Sequence, residues 1–282
     1  MTIIAFQGHR AAYSESACRS YDPTAQSLPC ETFADAIEAV KTGRADLGML
    51  ACENSLAGRV PDIHALLPES GLSIVAEHFQ RVEHCLLVVP GTKIEQITRI
   101  HSHPVALGQV RGLVRELGVI PVVENDTAGS AHLVADWKRP EDAAIASELA
   151  GEMYGLEILR RNVEDESHNT TRFYVAAAKP RVPPVDMPGL MTTFVFRVRN
   201  VPAALYKALG GFATNGVNMT RLESYMVKGQ FTATQFLCDV DGHPEQPELR
   251  RALEELSFFS HEVKILGVYP AAAFRLAQTG GD

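Results

Sequence analysis

A proline-rich segment divides this sequence into two parts. Four of the ten residues from 179 to 188 are proline, in the run KPRVPPVDMP. Proline fixes the backbone angle φ and has no backbone N–H, so such a run forms neither a helix nor a central strand of a sheet. We therefore predict a linker over residues 179–190, between an N-terminal body of residues 1–178 and a C-terminal tail of residues 191–272.

The body alternates strand-like and helix-like segments. One helix is capped by Thr32 and ends at Gly43, and another begins at Pro104 with an apolar stripe that continues to Leu117. Continuous apolar runs predict strands at residues 2–6, 47–51, 73–76, 85–89, 120–123, 143–146 and 173–177. This alternation predicts an α/β fold with mostly parallel sheets, in which ligands bind at the carboxyl ends of the strands.

The tail shows a different order of elements, β-α-β-β-α-β, which is the ferredoxin-like α+β arrangement. In chain order, the predicted elements lie at residues 191–198, 201–214, 217–225, 231–240, 245–256 and 263–269. Gly216 ends the first helix, and a turn at Gly229 joins the two central strands.

Composition and charge exclude several classes of protein. The net charge is −8 and the sequence pI is about 5.7, whereas nucleic-acid binders carry a basic face. No run approaches the roughly 18 apolar residues of a membrane helix, and the start MTIIAFQGHR lacks the pattern of a signal peptide. The five cysteines are odd in number and contain no C-x-x-C pair, which is typical of reduced thiols in the cytosol. We expect a cytoplasmic protein that binds neither nucleic acid nor membrane.

Polar residues adjoin several predicted strands, where an α/β sheet binds its ligands. The candidate site residues are Gly8, Glu53, Asn54, Ser55, Ser102, His103, Asn169, Thr171, Arg172 and Phe173. Asn54, Ser55 and Ser102 stand where helices are predicted to begin, and the first amides of a helix bind anions. Spacing alone leaves open that these residues only cap helices and form turns, or that residues 170–172 start a plain edge strand.

Metal and nucleotide sites are not indicated. His101 and His103 have no matching acidic or cysteine pair, so this H-x-H spacing does not predict a metal ion. Gly8 permits a close backbone approach to a ligand, but its loop is not a dinucleotide fingerprint.

Taken in order, these segments resemble the prephenate dehydratase family over nearly the whole chain. The matching motifs are FQGHRAAYSE at residues 6–15, ENSLAG at 53–58, SHPVAL at 102–107, AAIAS at 143–147 with YGL at 154–156, NTTRF at 169–173 and GVNMTRLES at 216–224. The resemblance implies a two-lobed body like the type II periplasmic binding proteins, followed by an ACT regulatory domain. It also implies that Thr171, within the family's Thr-Arg-Phe motif, is essential for catalysis.

The implied reaction removes water and carbon dioxide from prephenate and leaves phenylpyruvate, a precursor of phenylalanine. Formation of an aromatic ring drives it, so we expect no cofactor. Hydroxide is a poor leaving group, so the departing oxygen needs a proton or a strong hydrogen bond, which we assign to the Thr171 hydroxyl. A tight cation on the ring carboxylate would stabilise the reactant and slow loss of carbon dioxide. We therefore place Arg172 on the side-chain carboxylate.

Two other functions fit the sequence. An arogenate dehydratase acts on a substrate with an amino group in place of the side-chain keto oxygen, and the motifs do not separate the two. A non-catalytic solute-binding or sensor protein shares the implied fold. The joint presence of Asn54, Ser55, Thr171 and Arg172 favours an enzyme.

Three segments depart from the family's motifs. The first loop often reads Gly-Pro-x-Gly-Thr, and here His9, Arg10 and Ala11 follow Gly8. The tail has Ala203-Ala204-Leu205 for Gly-Ala-Leu, and Glu223-Ser224-Tyr225-Met226 for Glu-Ser-Arg-Pro.

The resemblance implies that phenylalanine binds between two tails as a feedback effector. The corresponding residues are Ala203, Ala204, Leu205, Asn218, Glu223 and Ser224. The open sheet face and edge strands of such a tail predict a homodimer or homotetramer formed through the tails.

Overall fold

The computed structural model describes residues 1–199, 201–226 and 235–279. Within these residues the chain forms fifteen β-strands and ten α-helices. The strands are β1 (Ile3–Gln7), β2 (Gln26–Cys30), β3 (Leu47–Asn54), β4 (Gly58–Arg59), β5 (Ser73–Arg81), β6 (Cys85–Val88), β7 (Arg99–Ser102), β8 (Ile120–Val123), β9 (Asp142–Ala146), β10 (Glu157–Arg160), β11 (Thr170–Ala177), β12 (Leu190–Val198), β13 (Met219–Tyr225), β14 (Gln235–Asp241) and β15 (Ser260–Pro270). The helices are α1 (Tyr13–Tyr21), α2 (Phe33–Lys41), α3 (Pro61–Ser70), α4 (Pro104–Gly108), α5 (Arg111–Leu117), α6 (Thr127–Trp137), α7 (Glu148–Tyr154), α8 (Ala204–Thr214), α9 (Pro247–Phe259) and α10 (Ala273–Thr279). None of the helices described is both long and apolar enough to cross a membrane.

These elements form two compact units, and the predicted α/β fold is confirmed. Unit 1 comprises residues 1–36, 49–60 and 79–173, and unit 2 comprises residues 37–48, 61–78 and 174–282. Each unit is therefore built from three separate segments of the chain. The division into domains at residues 179–190 stays a prediction.

Unit 1 contains a five-stranded sheet with the strand order β10-β6-β9-β7-β8. Strand β7 pairs in parallel with β8 and β9, whereas β6 pairs antiparallel with β9 and β10. Within this sheet, the predicted parallel pairing holds for β7, β8 and β9, and elsewhere in unit 1 β1 and β2 also pair in parallel. All four residues of β6 are buried, so its sequence shows the unbroken apolar pattern usually seen in parallel strands.

The helix predicted to start at residue 104 is broken in two. Helix α4 ends at Gly108, and α5 begins at Arg111. The Asp165 carboxylate accepts hydrogen bonds of 2.9 Å from the amides of Arg111 and of the next residue, the first two of α5. Asp165 also donates its own amide to the Gln109 carbonyl at 2.7 Å. Periodicity does not reveal this break, because the apolar stripe continues across it.

Unit 2 contains the four strands of the tail in the order β13-β14-β12-β15, and all three pairings are antiparallel. With α8 and α9 between them, they follow the predicted order β-α-β-β-α-β, which is confirmed. The turn predicted at Gly229 lies outside the described residues. Strand β15 also pairs in parallel with β5, where Gly267 lies opposite Ile74.

Aromatic side chains form the core of the tail. The rings of Phe194 and Phe212 stack with centroids 5.8 Å apart, and those of Phe196 and Phe236 stack at 5.2 Å. All four side chains are buried. Burying one such side chain stabilises the fold by roughly 1.5–3 kcal/mol. Every second residue of β12 from Phe194 and of β14 from Phe236 points into this cluster, as expected for strands.

Ala203, just before α8, has a backbone conformation that favours glycine. Its φ is +63°, and its side chain is exposed. An L-residue in this region costs about 1–2 kcal/mol, which glycine avoids at the expense of a more flexible unfolded chain. We expect Ala203→Gly to raise the free energy of unfolding by about 0.5–1 kcal/mol, measured by urea denaturation.

The exposed Ala213, inside α8, provides the matched control. Ala213→Gly introduces the same residue into ordinary helical backbone, and it should lower the free energy of unfolding by about 0.5–1 kcal/mol. Destabilisation of similar size in both variants would contradict the strain at Ala203.

Candidate active site

A cavity of about 330 Å³ lies within unit 1. It is bounded by the end of β1, by the starts of α1 and α6, and by residues next to β3 and β11. Five of the residues predicted from the sequence line it, namely Gly8, Asn54, His103, Asn169 and Thr171. The others do not appear among the described residues of its wall, namely Glu53, Ser55, Ser102, Arg172 and Phe173.

Asn54 ends β3 and holds a tight turn. Its Oδ1 accepts hydrogen bonds from the amides of Leu56 at 3.0 Å and Ala57 at 2.8 Å, and β4 then pairs antiparallel with β3. The expectation that Asn54 or Ser55 caps a following helix is therefore wrong, because the chain forms a hairpin before α3 begins. Two backbone donors at Oδ1 fix the orientation of the amide, so Nδ2 must donate.

Thr171 receives one of those donated bonds. Asn54 Nδ2 lies 3.0 Å from Thr171 Oγ1 and 2.8 Å from Asn169 Oδ1. A hydroxyl that accepts from an amide keeps its own proton for another acceptor. Thr171 therefore presents a hydrogen-bond donor at the cavity wall.

Arg172 lies on the opposite face of β11 from Thr171, because successive side chains of a strand alternate. It is only 4% exposed, and its guanidinium carbon is 6.0 Å from the centre of the Phe79 ring. The side chain predicted to bind the substrate carboxylate is thus packed away from the cavity. Phe173 is also buried and belongs to the core.

A series of hydrogen-bonded polar side chains extends from Asn169. The sequence patterns did not predict it. Asn169 Nδ2 donates to Gln109 Oε1 at 3.0 Å, and His84 Nε2 lies 2.9 Å from the same oxygen. His84 Nδ1 in turn lies 2.7 Å from the Tyr13 hydroxyl. Gln109, His84 and Tyr13 all line the cavity. Gln109 reaches it because the break between α4 and α5 interrupts the predicted helix.

The segment around Ser102 contributes differently from its prediction. Ser102 is fully buried, and its hydroxyl donates to the Ile145 carbonyl at 2.7 Å, which holds β7 against β9. His103 does line the cavity and caps α4, where its Nδ1 accepts from the Val105 amide at 3.2 Å. Pro104 occupies the first position of α4, as the sequence predicts.

Ser55 and Glu53 are next to the cavity, and the Ser55 side chain bonds to the backbone around it. The Ser55 hydroxyl donates to the His168 carbonyl at 2.9 Å and accepts from the Thr170 amide at 3.0 Å. These bonds tie the turn after β3 to the start of β11. Glu53 pairs with Arg59 in the register of β3 and β4.

The donors that the cavity offers to an anion are backbone amides rather than basic side chains. None of the described residues that line it is lysine or arginine. The amides of Tyr13 and Ser14, the first two of α1, donate to no other described residue, and Ala12 provides no side-chain cap. A helix N-terminus carries about half a positive charge, so these amides are suited to a carboxylate.

One carboxylate also lines the cavity. Asp126 caps α6, with its Oδ1 accepting from the Gly129 amide at 2.7 Å. Its Oδ2 lies 3.5 Å from Nε2 of His9, a residue that departs from the family's first-loop motif. The cavity therefore offers donors for anions on one side and an acceptor for a cation on another.

Comparison with known proteins identifies the family. The prephenate dehydratase family matches the chain over residues 4–181. The chain belongs to this family. Members are dehydratases, so this chain is an enzyme of the hydro-lyase class.

Relatives and solved structures agree with this membership. A protein of Komagataeibacter europaeus named bifunctional N-acyl-homoserine lactone acylase/prephenate dehydratase is 67% identical over 273 residues, 97% of either chain. Arogenate dehydratase 2 of Petunia hybrida is 36% identical over 284 residues, which are 95% of this chain and 71% of that protein. A crystal structure of prephenate dehydratase from Arthrobacter aurescens in complex with L-Phe is 28% identical, with a TM-score of 0.85 over 99% of this chain and 98% of that one.

The tail residues that were predicted to bind an effector occupy two places in unit 2. Ala203 caps α8, Ala204 is buried at the start of that helix, and Leu205 packs on the aromatic core. Asn218 precedes β13, and its Nδ2 donates to Asp241 Oδ2 at 2.8 Å. Glu223 and Ser224 lie within β13 itself.

Half-buried Glu223 belongs to a group of otherwise buried polar side chains, which we call the tail network. Its members are His64, Tyr174, Arg221, Glu223 and Asp239. Arg221 Nη2 donates to Glu223 Oε1 at 2.9 Å, and His64 Nε2 lies 3.3 Å from Glu223 Oε2. Arg221 Nη1 donates to the Tyr174 hydroxyl at 2.9 Å, which donates to Asp239 at 3.3 Å.

His101 and His103 have separate structural roles. His101 lies 3.0 Å from Asp142 and 3.1 Å from Glu124. Burial raises the pKa of Asp142, but hydrogen bonds from Arg99 and His101 outweigh it and hold that pKa below its ordinary value. In the described part of this prephenate dehydratase family member, no group of three or more His, Cys, Asp or Glu residues is placed to hold a metal ion.

Proposed function

We propose that the cavity of unit 1 converts prephenate to phenylpyruvate, carbon dioxide and water for the synthesis of phenylalanine. Family membership supports the reaction class. The observation that carries the proposal is the Thr171 hydroxyl, which lines the cavity and accepts from Asn54 Nδ2 at 3.0 Å. That bond leaves the Thr171 proton free to donate to the departing hydroxyl of the substrate.

The chemistry requires one proton and two bond cleavages. The bond between the ring and its hydroxyl breaks, its electron pair leaves with the oxygen, and that oxygen becomes water. The bond between the ring and its carboxylate also breaks, its electron pair enters the ring, and carbon dioxide departs. Thr171 donates its hydrogen bond as negative charge develops on the leaving oxygen, and solvent supplies the net proton. One donor of this kind is worth roughly 3–4 kcal/mol in the transition state.

The side-chain carboxylate of the substrate is proposed to bind at the start of α1. Tyr13 and Ser14 line the cavity there, and their amides have no other partners among the described residues. This assignment replaces Arg172, which is packed against Phe79. With backbone amides binding the side-chain carboxylate, no arginine or lysine is needed in the cavity. The ring carboxylate is then free of a tight cation, which would slow its decarboxylation.

The test is a direct assay of the purified full chain. We expect added prephenate to yield phenylpyruvate, followed by its absorbance in alkali. Folded enzyme that yields none would overturn the proposal.

Arogenate is a second candidate substrate, and Asp126 favours it. Arogenate carries an ammonium where prephenate has a keto oxygen, and the Asp126 carboxylate lines the cavity. We expect Asp126→Asn to lower kcat/KM for arogenate by about tenfold and to leave that for prephenate within about threefold, since only arogenate gains an ion pair. Equal effects on both substrates would remove Asp126 from substrate selection.

An acylase activity is a further candidate, since the 67% identical relative is named for both activities. Cleavage of an N-acyl-homoserine lactone breaks its amide bond with water and releases a fatty acid and homoserine lactone. Incubating the full chain with such lactones of several acyl lengths, with release of homoserine lactone as the readout, tests this candidate. Absence of release at every length would reject it.

For residues 191–272 we propose an ACT-type regulatory domain that binds phenylalanine and pairs with a second copy in a homodimer or homotetramer. The β-α-β-β-α-β order and the related structure in complex with L-Phe support this role. The test is calorimetric titration of the full chain with L-phenylalanine, with D-phenylalanine as the control, together with light scattering. Absence of binding heat, together with an activity that does not respond to phenylalanine, would overturn it.

We also propose a cytoplasmic location, which the five buried free cysteines support.

A further inference from the structure

The hydrogen bonds behind the cavity wall have only one possible direction. Asn54 Oδ1 accepts two backbone amides, so Asn54 Nδ2 donates to Asn169 Oδ1 at 2.8 Å. With its oxygen facing Asn54, Asn169 must present Nδ2 to Gln109, and it donates to Oε1 at 3.0 Å. The orientation of the Gln109 amide is therefore set by a series that starts at the backbone of the β3 turn.

This series determines the tautomer of His84. Gln109 Oε1 is a carbonyl oxygen and only accepts, so His84 Nε2, at 2.9 Å, must carry a proton. In the neutral ring Nδ1 is then the acceptor, and the Tyr13 hydroxyl donates to it at 2.7 Å. The same hydroxyl lies 3.0 Å from the Glu83 carbonyl, which is its other possible acceptor.

Burial keeps both rings neutral. His84 is 2% exposed, and burial lowers its pKa, against the opposing effects of Gln109 and Glu164. Burial also raises the pKa of Tyr13 well above its ordinary value, with Cys85, Glu164 and Glu83 acting in the same direction. The Glu164 carboxylate accepts from the backbone amide of His84 at 2.8 Å, so it anchors the main chain beside the ring.

The Nε2 group of Gln109 remains available for a further hydrogen bond. Its Oε1 accepts from both Asn169 and His84, and its Nε2 donates to no other described residue. Since Gln109 lines the cavity, its two amide protons are available to a bound molecule. Rotation of the amide by 180° would bring Nε2 against Asn169 Nδ2 and His84 Nε2. Both are donors, so this orientation is excluded.

We infer that His84 and Tyr13 are positioning residues, which hold the Gln109 amide so that Nε2 donates to an oxygen of the substrate. The inference rests on the proposed function, because it concerns the same cavity and the same substrate. His84 supplies the second donor to Gln109 Oε1, and the Tyr13 hydroxyl, by donating to Nδ1, stabilises the Nε2–H tautomer that Gln109 requires.

A double-mutant cycle tests this role. His84→Phe keeps a ring of similar size without its nitrogens, and we expect it to lower kcat/KM for prephenate about 10- to 100-fold. In a Gln109→Met background the same change should cost less than about twofold, because there is no amide left to orient. His84→Gln restores an N–H near the position of Nε2 and should recover most of the activity. His132→Phe, on the exposed surface of α6, is the matched control and should leave activity unchanged.

A second measurement, made on the wild type, does not depend on any variant folding. In the wild type labelled with ¹⁵N-histidine, His84 should be the neutral Nε2–H tautomer at pH 7. Tyr13→Phe removes the donor to Nδ1 and should shift the ¹⁵N resonance of that nitrogen toward the value of an imidazole nitrogen without a hydrogen bond. An Nδ1–H tautomer or a charged ring in the wild type overturns the inference, as does an equal loss from His84→Phe in both backgrounds. A wild type that converts no prephenate overturns the proposed function instead, whereas an active wild type with an equally active His84→Phe variant overturns only this inference.

Discussion

Replacing Thr171 by valine is expected to lower kcat about 100-fold or more and to change KM little. Valine keeps the volume and branching of threonine but removes the hydroxyl. Asn54 Nδ2 retains Asn169 Oδ1 as a partner at 2.8 Å, so the cavity wall should keep its arrangement. Steady-state formation of phenylpyruvate is the measurement.

Thr171→Ser is the matched variant for this experiment. Serine keeps the hydroxyl and loses only a methyl group, so kcat should stay within about tenfold of the wild type. Near-normal turnover by the valine variant would remove Thr171 from the mechanism, whatever the serine variant does.

Replacing Gly267 by alanine is expected to lower the free energy of unfolding by about 3 kcal/mol or more. Gly267 lies opposite Ile74 where β15 pairs with β5, and a Cβ at this position would overlap the Ile74 carbonyl oxygen. The atom in the way belongs to the backbone of a paired strand, so relief requires the two strands to separate. Chemical denaturation followed by circular dichroism measures the effect.

Gly210 provides the contrasting position. It lies inside α8, and a Cβ built there meets nothing within 4 Å. Gly210→Ala should therefore raise the free energy of unfolding by about 0.5–1 kcal/mol, because alanine is the better helix former. A Gly267→Ala variant as stable as the wild type would show that β5 and β15 are not held as closely as described.

Local sequence patterns predicted the elements well where short-range interactions or the alternation of side chains along a strand decided them. The capping of α2 by Thr32 is an example, since Thr32 and Asp35 exchange side-chain and backbone hydrogen bonds of 3.1 Å. The tail strands are another, because they alternate between the aromatic core and the other face of their sheet. Both signals lie within a few residues of the feature that they predict.

The candidate site was predicted less completely, and for two different reasons. Arg172 was predicted to bind the substrate because the reaction chemistry favoured a cation there. Strand alternation already places its side chain on the opposite face of β11 from Thr171, so the sequence pattern contained the correct answer. Gln109 and His84 were not predictable from local patterns. Gln109 enters the cavity through a helix break set by Asp165, which lies 54 residues away from Arg111 in sequence. His84 belongs to no recognisable motif, and its role depends on hydrogen bonds to residues that are distant in sequence.

The tail network affects how an amino acid could be recognised at Glu223. Glu223 is 18% exposed and already faces Arg221 and His64, whose side chains are 6% and 3% exposed. An amino acid whose ammonium reaches this carboxylate would share it with the Arg221 guanidinium, which already occupies Oε1. Because the carboxylate is already paired, a second cation gains little electrostatic free energy. Selectivity at Glu223 would then come from the shape and apolar area of the incoming side chain, and it would change little with ionic strength.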